Sequence, residues 1–194
     1  MLFRSRIPSA PQTAPGAAAV PGAAIPMGPF AAVGLMTFAL LATRVATAWL
    51  IMPLLAQARW GASAGEVGLI LTAGALATSA TLPVVPRLSR KFGRGTAIAG
   101  STAMVLAGLW FVGTAATIVG MTFGSLLLGI ANALGIPALS AYAVDLTPPG
   151  RLGAAMGLLR MATDGGVVFG PIVLGLMVDQ LGLGYGGALV WAGA

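Results

Sequence analysis

Three ionisable side chains stand where hydrocarbon should surround them: Arg44 within the apolar run 31–56, and Arg160 and Asp164 within 153–178. At the centre of a membrane helix such a charge costs roughly 2.5–3.5 kcal/mol even on the mild insertion scale, so each needs a partner or a water-filled cavity. Arg160 and Asp164 are four residues apart, share one helix face and can pair. At 1.5 Å per residue from the cytoplasmic helix ends, Arg44 and Asp164 both lie roughly 16–21 Å deep, near mid-membrane, with Arg160 shallower. Asp164 can therefore serve either arginine. A carboxylate at that depth can bind and release a proton, and the arginines can counter it or hold an anion. The structural alternative is a fixed ion pair that locks helices together, with Arg160 snorkelling to the inner interface.

Other chemistry has little to work with. Zero Cys removes disulfides and thiolates, and zero His with only Glu66, Asp145, Asp164 and Asp179 as acids leaves no nucleophile–base pair. No metal site, no cofactor and no enzymatic activity are expected.

The elements that must position these charges are membrane helices. Hydrophobic residues make up 58% of the chain and charged residues 7%, with a mean hydropathy of +0.97, against about 25% charge in a soluble domain. The 29 Gly and 13 Pro give the apolar stretches the small-residue character of packed membrane helices. A net charge of +6 does not point to nucleic acid, because the basic residues cluster in loops between spans with no aromatic-basic face.

Residues 1–29 read as a disordered Pro/Ala-rich cytoplasmic leader. A cleaved signal peptide fits poorly, since the apolar run that follows is too long and begins too late. Spans are expected at about 31–56, 67–85, 96–115, 118–144 and 153–178, each reaching the ~20 residues a crossing needs. A sixth stretch, 184–194, is partial. Placing the loops alternately puts Arg4, Arg6, Arg87, Arg90, Lys91, Arg94 and Arg151 on one face and only Arg59 on the other. The first face is therefore the cytoplasmic one and the amino terminus lies inside, in a multi-pass protein of the cell membrane. Asn132, Ser140 and Tyr142 are polar positions on the fourth span, which small-residue packing also explains.

The connection after the second span reads Pro86-Arg87-Leu88-Ser89-Arg90-Lys91-Phe92-Gly93-Arg94. It resembles the cytoplasmic loop motif of the major facilitator superfamily: Lys91, Gly93 and Arg94 match, while Pro86 stands at the usual Gly and Arg90 at the usual Asp. The fifth span resembles that superfamily's antiporter motif, matching at Gly157, Gly166, Gly170, Pro171 and Gly175, with Leu174 at the sixth fixed position. Glycines four apart admit a neighbouring helix closely, and Pro171 removes a backbone donor and bends the helix. The short connection Asp145–Arg151, with paired Pro148-Pro149, is similar to the superfamily's inside loop. Pro86, Arg90 and Gly93 also share their spacing with Gly175, Asp179 and Gly182, a faint inverted repeat.

The resemblance covers about residue 30 to the end and implies an all-α half-bundle of about five complete helices plus a partial sixth. The missing loop Asp and the segment Gly157–Arg160 ahead of Asp164 look more like the second half of such a transporter than the first. It implies transport of a small organic molecule, by proton-coupled efflux as an antiporter, within a larger two-half protein. Its partners would be the lipid bilayer, a small-molecule substrate, and the other half or a second copy of the chain. The alternative is a non-transporting membrane protein, either a remnant or a helical assembly partner.

Overall fold

The computed structural model describes residues 24–181. Most of the leader 1–29 and the whole partial sixth stretch 184–194 lie outside the described residues. Within them every regular element is helical: α1 Met27–Ala46, a π-helical turn Thr47–Ile51, α2 Met52–Trp60, α3 Ala64–Thr81, α4 Val85–Phe92, α5 Arg94–Thr114, α6 Ile118–Asp145 and α7 Leu152–Leu181. Met27–Trp60, Arg94–Thr114 and Ile118–Asp145 are long and apolar enough to cross a membrane. The α3–α4 pair, bent by 58°, makes a fourth such unit.

The first crossing is one 34-residue rod from α1 through α2. Pro53 sits in the first turn of α2 and has no N–H to give back to the preceding turn; the π-turn just before it absorbs that mismatch. Gly61 then stops the rod in the left-handed conformation, φ 62°. At the same end, Arg59 donates to the carbonyls of Ala115 (3.0 Å) and Gly113 (3.1 Å), and Trp60 Nε1 to that of Ala116 (3.2 Å). These bonds satisfy carbonyls at the α5 terminus that no helix turn can reach. Ser63 and Glu66 form a reciprocal capping box that starts α3.

The second span departs from the sequence reading. Its helix stops at Thr81 instead of running on to 85, and residues 82–84 turn before α4 begins. Pro83 and Pro86 cause the break, because hydropathy continues across them but the hydrogen-bond ladder does not. Arg87, Arg90 and Lys91 are consequently residues of the short helix α4 and not of an irregular loop.

Packing places α6 at the centre, against α5 on one side and α3 on the other, with α7 against α1. The helices approach through small residues. A Cβ on Gly124 would crowd the side chain and backbone of Val112, and one on Gly74 the hydroxyl and carbonyl of Ser125, so glycine is what permits these close approaches. A core of Ile51, Met52, Ile70, Leu109, Val112 and Met121 fills the end of the bundle where α2 closes on α3 and α5.

Candidate functional site

Arg44 lies about halfway along the first rod, roughly 25 Å from its start. One turn later comes the π-turn, a distortion frequent at functional sites. Arg44 faces a cavity of about 200 Å³ between this rod, α3 and α6. Trp49, Met52, Leu71 and Leu128 supply apolar wall, and Thr78, Ser125 and Asn132 supply polar atoms.

Most of that polarity is consumed internally. Ser125 Oγ donates to the Ile70 carbonyl at 2.8 Å, and Thr78 Oγ1 lies 3.0 Å from the carbonyls of both Gly74 and Gly129. These bonds tie α3 to α6. Asn132 is different. Its Nδ2 donates to the Leu128 carbonyl at 2.8 Å, while Oδ1 is buried and accepts nothing from the described residues. Thr47 Oγ1, in the π-turn, is the second such orphan. A buried acceptor without a donor costs about 1–3 kcal/mol.

Asp164 lies elsewhere. It pairs with Arg160 across one turn of α7, Nε to Oδ2 3.0 Å, and among the described residues it makes no ion pair with Arg44. The two side chains are 56% and 75% exposed, so the pair is largely uncovered among the described residues. The pair and Arg44 therefore occupy distinct places: a groove between the first rod, α3 and α6, and an open face of α7.

The glycines of α7 divide into two groups. A Cβ on Gly170 would stand 2.5 Å from the Ala42 carbonyl oxygen and 2.6 Å from its Cα, and one on Gly166 would stand 3.1 Å from the Ala42 nitrogen. These two seat α7 on α1. A Cβ on Gly157 or Gly175 would meet nothing within 4 Å. Pro171 lies inside α7, next to Gly170.

At the basic end, Arg87, Arg90 and Lys91 are exposed on α4, and Lys91 Nζ sits 5.3 Å from the Phe92 ring centroid. Gly93 joins α4 to α5 at φ 85°, a conformation a side chain would strain. Arg94 forms an ion pair with Asp145 and donates to the Ala141 carbonyl at 2.7 Å. The carboxylate missing at Arg90 is thus supplied to the cluster from the end of α6. Sequence reasoning missed this pair, although a signal existed: Arg94 opens one helix and Asp145 closes the next, so both fall at the same membrane face. Among the described residues no three His, Cys, Asp or Glu side chains gather to hold a metal.

Comparison with known proteins agrees with the helical architecture. The sequence profile of the Major Facilitator Superfamily matches residues 23–194. An uncharacterised MFS-type transporter of Methanocaldococcus jannaschii is 30% identical over 141 residues, covering 69% of this chain and 34% of that protein. The chain thus spans about a third of the length of that relative. Profile match, all-helical bundle and close-packed glycines together place this chain in the major facilitator superfamily.

Proposed function

We propose that the chain is one helical half, of the second-half type, of a secondary transporter that moves a small organic molecule across the cell membrane. Asp164 is the proton-coupling group and the direction is efflux by antiport. The observation that carries this reading is the Arg160–Asp164 pair, largely uncovered among the described residues, on a mostly apolar helix. A charge pair in that position is favourable only against water or another polar surface. Alternating access supplies both, since two bundles rock about a site at their interface and expose it in turn. The relative named as a transporter supports the class of activity.

Vesicle flux tests it. Reconstituted alone, the chain should show no saturable substrate flux, because a cavity with one wall cannot close. With a complementary half it should transport, and a pH gradient should drive accumulation. Saturable flux from a demonstrably monomeric preparation of this chain would reject the half-bundle reading.

Orientation has its own test, since the chain has no native Cys. A cysteine at Ser63, in the α3 cap, should react with an impermeant maleimide in intact cells. One at Ser89, on the basic helix α4, should react only after permeabilisation. Labelling of Ser89 in intact cells would invert the topology.

A further inference from the structure

We propose that the cavity where α4 meets α6, at the basic end of the bundle, holds the headgroup of an anionic phospholipid. Its volume is about 290 Å³. Arg90, Arg94 and Ser89 supply its polar wall, and Val85, Pro137 and Ala138 its apolar one. Arg90 is exposed and joins neither of the two ion pairs found among the described residues. Arg94 spends one guanidinium nitrogen on Asp145 and the Ala141 carbonyl, and its other nitrogens donate to nothing among the described residues. Two guanidinium groups against the Asp145 carboxylate leave one net positive charge, which matches the single negative charge of a phosphodiester. The planar arginine fork suits phosphate oxygens, and the Ser89 hydroxyl adds a donor to the same wall. Arg90 also stands where the loop motif usually has Asp, so a carboxylate that would repel phosphate is replaced by a cation.

The surroundings select a lipid over a soluble phosphate. Helix α4 leaves α3 at 58° and is two-faced. Val85 and Leu88 pack with Ala133 and Leu134 of α6, while Arg87, Arg90 and Lys91 are exposed. A short helix of this kind at the end of a membrane span lies at headgroup level, where its cations meet anionic lipid. Pro137 and Val144, seven residues apart on one face of α6, are both uncovered among the described residues. The apolar wall of the cavity therefore continues along the outside of α6, where an acyl chain can lie. A soluble phosphate ester would meet the arginines and leave that wall bare.

Native mass spectrometry on the full chain, purified in detergent and given equal amounts of phosphatidylglycerol and phosphatidylcholine, tests this. One phosphatidylglycerol should be retained in about tenfold preference, the scale of one charge-assisted hydrogen bond. Arg90→Gln should remove that preference, and Arg90→Lys should recover part of it. Because Arg90 has no partner in the fold, both variants should keep the helix content of the native chain by circular dichroism. Arg87→Gln removes the same charge from the same helix outside the cavity wall, and should leave retention within about twofold. Ser89→Leu fills the cavity without altering charge and should weaken retention as Arg90→Gln does. Glycerol 3-phosphate in large excess should not displace the lipid. Equal retention of the two lipids, or full retention by Arg90→Gln, would overturn the site. Equal loss in Arg87→Gln and Arg90→Gln would reduce it to diffuse surface charge, and displacement by glycerol 3-phosphate would make it a site for soluble phosphate esters; either result overturns the lipid assignment.

Discussion

In the proposed two-half transporter, Asp164→Asn is expected to reduce proton-driven flux to the level of empty vesicles while the protein remains folded. The local geometry separates these two effects. Arg160 and Asp164 are four residues apart on a single helix, so their bond spans one turn and fastens no helix to another. Both side chains are largely uncovered, and exposed pairs of this kind contribute only about 0–1 kcal/mol. Loss of the carboxylate therefore leaves the α1–α7 contact intact, and the freed Arg160, nearer the helix end, can extend toward the interface. The amide keeps the shape of the side chain but cannot take up a proton. Flux driven by a pH gradient, measured beside thermal unfolding in detergent, distinguishes the outcomes. A folded variant that keeps normal pH-dependent flux would remove Asp164 from the coupling step. A variant unfolded in detergent would instead make the pair a structural lock.

What the sequence made legible follows from how local each signal is. Arg44, Arg160 and Asp164 stand out because an ionised group in an apolar run is an energetic anomaly that requires no structure to detect. Gly166 and Gly170 are legible for a similar reason, as four-residue spacing alone puts both on one face. The break at 82–84 was missed because hydropathy is blind to the backbone: Pro83 and Pro86 are apolar enough to extend a span and still unable to extend its hydrogen bonds. The Arg94–Asp145 pair joins residues 51 apart in sequence and becomes visible only once α5 and α6 are known to be antiparallel neighbours. Asn132 is the hardest case. Whether its amide oxygen has a donor depends on what the first rod, α3 and α6 jointly place around it, and no spacing along one helix contains that information.

The same contrast between local and assembled structure governs the glycines of α7, where identical substitutions should have opposite consequences. Gly170→Ala pushes a methyl group to within 2.5–2.6 Å of the Ala42 backbone on α1. Main-chain atoms cannot rotate aside as a side-chain tip does, so the two helices must separate along their contact. Overpacking of this kind costs about 1–3 kcal/mol, and Gly170→Val should lie at the upper end of that range. Membrane helices gain no hydrophobic burial from each other that would offset a lost close approach, since lipid is as apolar as the neighbouring helix. Gly157→Ala meets no atom within 4 Å. Inside this bundle it should be neutral, or stabilising by up to about 1 kcal/mol, because alanine is the better helix former. Thermal unfolding of the two variants in detergent measures the difference directly: Gly170→Ala should melt lower than the native chain and Gly157→Ala no lower. If Gly157 faces the other half, Gly157→Ala should also lower flux in the assembled transporter without lowering the melting temperature of this chain. Equal destabilisation by both substitutions would mean that α7 is seated on its neighbours differently, with Gly157 in a helix contact.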